Sequence, residues 1–204
     1  TLILDRPGKL SEDVIMKMSS ALSHRGHHHT GKQVFRNHHY QLFASVNRLR
    51  IIDRDQASDQ PFMTGDDDRM LLFNGEIYNH DVLRNHLIEK GIRFNTGSDT
   101  EALYQTLIRH GMEDLRILNG MFSFVFFDPE QDILMIARDR WGMKPLYYYQ
   151  DEHYLIISSE IRGILATGLV RKELNELQIP YYLRYRYVSP GNTLFRHIFP
   201  FDRG

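Results

Sequence analysis

Residues 121–158 read MFSFVFFDPEQDILMIARDRWGMKPLYYYQDEHYLIIS. Four runs of aliphatic and aromatic residues alternate here with polar residues, which predicts strands at 121–127, 133–137, 146–149 and 154–158. The connections between these runs are short, and none has room for the crossover that parallel neighbours require. We therefore expect these strands to pair in an antiparallel arrangement.

Helical segments lie on both sides of this stretch, and three of them have a recognisable start. Ser11, Asn79 and Ser98 are candidate N-caps, and Glu101 completes a capping box with Ser98. The apolar spacing predicts helices over 12–23, from Asn79 to Gly91, from Ser98 to Gly111 and over 160–167, and strands near 34–36, 40–46, 50–52 and 70–73. Strand clusters on both sides of a helical middle predict an α+β fold with antiparallel sheets. The tail 175–204 has only a weak pattern, with four tyrosines close together.

The composition excludes several function classes. The 204 residues include 25 Lys and Arg and 26 Asp and Glu, a net charge of −1 that indicates neither nucleic acid nor an anionic membrane as a partner. No apolar run approaches a membrane span and no leader pattern opens the chain, so a cytoplasmic protein is expected. Cysteine is absent, which excludes disulfides, Cys-ligated zinc and any thiol nucleophile within these residues.

The segment 73–79, Phe-Asn-Gly-Glu-Ile-Tyr-Asn, has two readings. An apolar strand that ends in Asn74-Gly75 brings an amide side chain and an unhindered backbone N–H together, and such donors can stabilise an oxyanion. The same dipeptide is also typical of a hairpin turn that carries no chemistry. Taken alone, the residues favour the turn.

Arg48 and Asp99 are the other candidate binding residues. An arginine at a strand edge can bind a carboxylate through two parallel hydrogen bonds, and a carboxylate at a helix start can hold an ammonium group. Together they would bind the two charged groups of an α-amino acid. Ordinary surface pairing for Arg48 and plain capping for Asp99 are the alternatives.

Two further clusters carry weaker signals. The histidines at 24, 27, 28 and 29 have no recognised ligand spacing, so a metal site is not predicted there. The charged loop 138–145, Arg-Asp-Arg-Trp-Gly-Met-Lys-Pro, fits either a solvated turn or a loop that faces a partner.

In chain order, these segments resemble the glutaminase domain of asparagine synthetases, which are class II (N-terminal nucleophile) glutamine amidotransferases. The resemblance covers nearly the whole chain. It rests on His24-Arg25-Gly26, Arg48-Leu49-Arg50-Ile51-Ile52-Asp53, Gln60-Pro61, Asn74-Gly75-Glu76-Ile77-Tyr78-Asn79, Ser98-Asp99-Thr100-Glu101, Gly120-Met121-Phe122, Arg138-Asp139-Arg140, Gly142, Lys144-Pro145-Leu146-Tyr147 and Ser159-Glu160-Ile161.

The resemblance implies a four-layer αββα sandwich of two antiparallel sheets and the hydrolysis of glutamine to glutamate and ammonia. Asn74 and the Gly75 N–H would form the oxyanion hole. Arg48 would bind the α-carboxylate of glutamine and Asp99 its α-amino group. Ile51, Ile52 and Glu76 would line the same pocket.

The family's nucleophile is an N-terminal cysteine, and this chain begins with Thr1. Three readings remain open: a short N-terminal piece is missing, Thr1 is the nucleophile, or the domain is a catalytically inactive scaffold at an interface. We favour the first, because a scaffold does not need Arg48, Asn74-Gly75 and Asp99. The chain also departs from the family's His-Arg-Gly-Pro-Asp, with His27-His28 after Gly26, and Arg50 replaces a usually small residue.

The resemblance also predicts the domain organisation and the partners. Residues 1–170 would form the amidotransferase domain, and 171–204 would lead toward a synthetase domain that uses ATP and Mg²⁺. No cofactor or metal is expected in the glutaminase domain itself. Glutamine, the synthetase domain and a second copy of the chain are the expected partners, with no nucleic acid and no membrane.

Overall fold

The structure is a computed structural model that describes residues 1–27, 29–48, 58–65, 67–111, 113 and 115–204. The strands are β1 (Leu2–Asp5), β2 (His29–Arg36), β3 (Gln41–Arg48), β4 (Met70–Ile77), β5 (Gly120–Asp128), β6 (Ile133–Arg138), β7 (Tyr147–Gln150), β8 (Tyr154–Ser158) and β9 (Phe199–Pro200). The α-helices are α1 (Asp13–Ala21), α2 (His80–Glu89), α3 (Asp99–His110), α4 (Ile161–Ala166) and α5 (Ile179–Tyr185).

The strands form two sheets. One has six strands in the order β2-β3-β1-β8-β7-β9, and the other has three in the order β4-β5-β6. The pairs β1–β3, β1–β8, β4–β5, β5–β6, β7–β8 and β7–β9 are all antiparallel. The antiparallel pairing predicted for residues 121–158 is confirmed, although its four strands are divided between the two sheets.

The chain divides into two compact units. The first unit comprises Thr1–Arg25, Lys32–Asn47 and Pro145–Asp202, and the second comprises Gly26–Gly31, Arg48–Lys144 and Arg203–Gly204. This division does not follow the predicted boundary at residue 170, which stays a prediction.

The core of the first unit is formed by helices α1 and α4 and the apolar residues of the six-stranded sheet. Ile15 and Met18 of α1 and Ile164 of α4 pack with Ile3, Phe43 and Ile156 of the strands. All of these side chains are almost completely buried. Each contributes about 1.5–3 kcal/mol by leaving water, so this layer accounts for much of the unit's stability.

The core of the second unit lies between the three-stranded sheet and helices α2 and α3. Alternate residues of β4 and β5 join it, as expected for strands with one face against helices. Tyr104 of α3 makes edge contacts with Phe62 and Phe126, at 5.3 and 5.8 Å between ring centres. Its hydroxyl donates to the carbonyl of Arg69 (3.1 Å), so this buried ring has its polar atom satisfied.

The capping predictions have different outcomes. The Ser98 hydroxyl accepts from the Glu101 N–H (3.1 Å), which confirms the capping box of α3. Ser11 is not the cap of α1, because Glu12 occupies that position without a side-chain bond. Asn79 occupies the cap position of α2, but its amide bonds instead to the backbone of Ile117 and Asn119.

The tail is more regular than its sequence pattern indicates. Helix α5 has Pro180 in its first turn and ends at Tyr185, and the next residue, Arg186, adopts a left-handed conformation. Tyr181, Tyr185 and Tyr187 form a cluster of rings with centres 4.8–6.0 Å apart. Among the described helices, none combines the length and the apolar character that a membrane crossing needs.

Candidate functional site

Strand β4 carries three of the predicted site residues, Asn74, Gly75 and Glu76. They lie inside its ladder with β5, where Asn74 is paired with Ser123 and Gly75 with Phe122. The strand continues to Ile77, so the Asn-Gly dipeptide is not a hairpin turn. The turn reading is wrong because eight consecutive cross-strand pairs outweigh the local preference of two residues.

The side-chain amide of Asn74 has an unusual environment. Its Nδ2 is buried and has no hydrogen-bond partner within the part of the chain that the structure describes. A buried donor without an acceptor destabilises a fold by about 1–3 kcal/mol, and such groups are rare in native proteins. The residue is therefore a candidate for binding an oxygen atom that the described residues do not supply.

Gly75 is required by the close approach of strand β5. A Cβ atom at this position would overlap the Met121 carbonyl oxygen and would lie 2.6 Å from the Phe122 Cα. No residue with a side chain fits unless the two strands separate.

Asp99 is a buried carboxylate beside the end of β4. It is 9% exposed, and its Oδ2 accepts from the Ile77 N–H at 3.0 Å. Burial raises the pKa of the Asp99 carboxyl above its ordinary value, and the backbone N–H groups of Ile77 and Thr100, together with nearby His80, only partly offset this effect. Among the described residues no Lys, Arg or His side chain lies within ion-pair distance of Asp99.

Arg48 lies at the end of β3 and is bonded to a residue that the sequence analysis did not single out. Its Nη1 donates to Asp59 Oδ1 at 2.7 Å, and the two side chains are 11% and 15% exposed. The other oxygen of Asp59 lies 3.4 Å from His29 Nδ1. An acidic residue eleven positions from an arginine gives no local signal, so only the fold shows this pair.

Gln60 is a second residue that sequence reasoning missed as part of this region. Its buried side-chain oxygen accepts from the N–H of Phe73, the residue before Asn74, at 2.7 Å. The adjacent residues Asp59 and Gln60 therefore bond to Arg48 and to β4 respectively. The predicted pocket residues Ile51 and Ile52 lie outside the described residues.

Comparisons with known proteins identify the family of the chain. A family model described as "Glutamine amidotransferase domain" matches residues 3–204. The chain belongs to this family. The amidotransferase domain is 34% identical over 187 residues to asparagine synthetase [glutamine-hydrolyzing] 1 of Bacillus subtilis, with 92% of this chain and 29% of the relative covered. It is 35% identical over 165 residues to asparagine synthetase B [glutamine-hydrolyzing] of Escherichia coli, with 78% and 28% covered.

Solved structures show the same fold. The amidotransferase domain matches glutamine phosphoribosylpyrophosphate amidotransferase from B. subtilis with a TM-score of 0.63 and 18% identity, covering 82% of this chain and 43% of that one. The "allosteric regulatory enzyme of purine biosynthesis" matches with a TM-score of 0.64 and the same identity. These matches, together with two antiparallel sheets and several helices, confirm the α+β sandwich prediction. The chain spans less than a third of the length of the two asparagine synthetases above.

In the first unit of the amidotransferase domain, Glu160 joins two of the motifs that carry the resemblance. Its Oε1 accepts from His24 Nε2 (3.0 Å) and Arg25 Nη1 (2.9 Å), and its Oε2 lies 3.2 Å from Arg162 Nε. Although burial raises the pKa of Glu160, the bonds from Arg25 and His24 hold it below its ordinary value. This ionised carboxylate therefore fixes the turn at His24-Arg25.

Asp139 has the same role in the charged loop of the amidotransferase domain. It is 2% exposed and accepts from the backbone N–H groups of Phe122, Trp141, Met143 and Lys144 at 3.0–3.2 Å. Burial raises the pKa of Asp139, but these four bonds together lower it below its ordinary value. The loop is therefore an ordered turn around a buried carboxylate, with Trp141 75% exposed at its tip.

The remaining predicted features can be placed as well. Thr1 exchanges two backbone hydrogen bonds with Ser45, so it extends the ladder between β1 and β3. Within the described residues, no group of three or more His, Cys, Asp or Glu side chains could hold a metal ion. His24 and His29 lie beside Glu160 and Asp59 instead, and His28 is outside the described residues.

Proposed function

We propose that this chain is the glutamine-binding domain of a larger, asparagine-synthetase-type amidotransferase. The observation that carries the proposal is the buried amide nitrogen of Asn74, which has no hydrogen-bond partner among the described residues and lies next to Gly75 in β4. No acceptor in that part of the chain compensates a donor at this place. A site for a developing oxyanion does, because it requires donors that are oriented before the charge forms.

Arg48 binds the α-carboxylate of glutamine in this proposal. The guanidinium carries five donors in a plane, and that geometry matches both oxygens of a carboxylate. The side chain is mostly buried, which strengthens an ionic hydrogen bond relative to one made in water.

Asp99 binds the α-ammonium group. Its carboxylate is buried and forms no ion pair among the described residues, and an ammonium ion compensates that charge. Ile77 holds the carboxylate against the end of β4, the strand that also carries Asn74. Glu76, together with Ile51 and Ile52, lines the remainder of the pocket.

Asn74 Nδ2 and the Gly75 N–H stabilise the oxyanion that forms when a nucleophile attacks the side-chain amide of glutamine. The attack breaks the Cδ–N bond and releases ammonia, and water then cleaves the acyl group from the nucleophile to give glutamate. The 204 residues contain no cysteine, so this chain is expected to bind glutamine without turning it over at an enzymatic rate. In the whole protein, ammonia would pass to a synthetase region that uses ATP and Mg²⁺.

The absence of cysteine also favours a second candidate function. In that candidate the domain is an inactive scaffold, located in the cytoplasm, that supports a synthetase domain or pairs with a second copy. The two candidates differ in one measurable property, because only the first predicts glutamine binding.

Titration calorimetry with L-glutamine tests the proposal. Arg48→Ala is expected to weaken binding by about 2–3 kcal/mol, because it leaves the ligand carboxylate without its charged partner. Arg69→Ala is the matched control, since Arg69 also pairs with aspartates in the second unit but lies outside the proposed site. No detectable binding by the parent chain, or equal binding by the Arg48 variant, would refute the assignment.

A further inference from the structure

The guanidinium of Arg48 is held by a side chain that the proposed reaction does not use. Asp59 accepts from Arg48 Nη1 at 2.7 Å, shorter than the usual spacing of a neutral N–H···O bond. The pair is one of the less exposed ion pairs of the molecule, with side-chain exposures of 11% and 15%. The second carboxylate oxygen of Asp59 lies 3.4 Å from His29 Nδ1, so the carboxylate has a partner on two sides.

The segment that carries Asp59 is itself anchored. Gln60, the next residue, is buried and accepts from the Phe73 N–H in β4 at 2.7 Å. Phe62 exchanges two backbone hydrogen bonds with Leu71 of the same strand, at 2.8 and 2.9 Å. Gly31 packs directly on the Gln60 carbonyl, where a Cβ atom would overlap the oxygen. Asp59 therefore has little freedom to move away from Arg48.

A fixed arginine binds a carboxylate better than a mobile one. A free arginine side chain loses about 2 kcal/mol of rotamer entropy when it is ordered, and a ligand that must order it binds more weakly. Asp59 orders the side chain before the ligand arrives. The negative charge of Asp59 acts in the opposite direction, because it reduces the positive field that attracts a second carboxylate. Positioning prevails where the arginine is buried, since an unpaired buried guanidinium would turn toward other acceptors.

We propose that Asp59 is a positioning residue that presents the guanidinium of Arg48 to the α-carboxylate of the ligand. This inference rests on the proposed function, in which Arg48 binds that carboxylate. Asp59 does not touch glutamine. It holds Arg48, and its neighbour Gln60 ties this assembly to β4, one residue before Asn74.

The test compares two ligands in titration calorimetry, L-glutamine and L-glutaminamide, in which an amide replaces the α-carboxylate. Asp59→Ala is expected to raise the Kd for glutamine about tenfold. For L-glutaminamide, which has no carboxylate for Arg48, the same variant changes the Kd by less than about twofold. Asp59→Asn keeps an acceptor oxygen and restores most of the affinity for glutamine. Asp67→Ala is the matched control, because Asp67 also pairs with an arginine of the second unit and leaves both Kd values unchanged.

Other outcomes overturn the inference. If Asp59→Ala weakens the binding of both ligands equally, Asp59 stabilises the site as a whole and does not act through Arg48. Unchanged or tighter glutamine binding means that Asp59 is idle or competes with the ligand. If the proposed function is wrong, Arg48→Ala also leaves the ratio of the Kd values for glutamine and glutaminamide unchanged. This result distinguishes failure of the proposed function from failure of the inference about Asp59. Thermal unfolding of each variant shows that it is folded when titrated.

Discussion

Asp99 and Asp139 are both buried aspartates of the second unit, but the fold treats them in opposite ways. Asp139 accepts four backbone N–H groups, and its pKa is lowered. The Asp99 carboxylate accepts from the backbone N–H of Ile77, the last residue of β4, and burial raises its pKa. A carboxylate surrounded by donors holds structure together, whereas one buried without enough donors is available for a ligand.

The same contrast separates Glu160 from Asn74. Glu160 has two arginines and a histidine around its two oxygens, and Asn74 has a buried nitrogen without a partner among the described residues. Both residues belong to motifs of the family resemblance, so the motifs alone do not distinguish a supporting residue from a binding residue. The state of their hydrogen bonds does.

The largest expected effect is the loss of Asp139. Asp139→Ala is expected to lower the free energy of unfolding by about 3 kcal/mol, because several backbone N–H groups lose a charged acceptor. The N–H groups near the loop tip can bond only to water in its place. Urea denaturation measures this change. Asp151→Ala is the control, since Asp151 also accepts backbone N–H groups in a turn but is only partly buried, and about 1 kcal/mol is expected. Equal losses in the two variants would contradict the special role of Asp139.

The pH dependence of stability separates the two aspartates with opposite signs. The lowered folded-state pKa of Asp139 means that its contribution is present above the unfolded pKa and is lost as the pH falls through the folded value. For Asp99, whose folded-state pKa is raised, folding favours the protonated carboxyl, so its contribution declines as the pH rises through that value.

Unfolding free energies of the parent, Asp139→Asn and Asp99→Asn between about pH 3 and pH 7 measure both contributions. The difference between the parent and Asp139→Asn should grow with pH and then level off. The difference between the parent and Asp99→Asn should fall with pH. Parallel curves for the two variants would show that the two carboxyls are equivalent.

The smallest expected change in stability is that of Asp99→Asn near neutral pH. The variant keeps an oxygen for the Ile77 N–H and removes a buried charge, so its stability should equal or slightly exceed that of the parent. Glutamine binding should nevertheless be lost, because a neutral amide does not compensate an ammonium ion. Calorimetry and thermal unfolding of the same sample test both statements, and Asp67→Asn serves as the control. A stability loss with intact binding would make Asp99 a structural residue.

Much of the fold was predictable because its signals are local. The antiparallel runs of 121–158, the capping box of Ser98 and Glu101 and the helices around them depend on residues within a few positions of one another. The family resemblance also named Arg48, Asn74, Gly75, Glu76 and Asp99 as a set. The absence of cysteine, and with it of a thiol nucleophile within these residues, follows from the sequence by itself.

Only the tertiary structure decided which of these residues have hydrogen-bond partners for their polar atoms. Asn74-Gly75 lies inside a strand because β5 pairs along its whole length, and Asn79 turned from helix capping to the 117–119 segment. The hydrogen bonds of Asp59 with Arg48 and of Gln60 with Phe73 join residues that are too far apart in sequence for a local pattern to predict them. The opposite pKa shifts of Asp99 and Asp139 have the same origin, because burial and the number of donors are set by packing between distant segments.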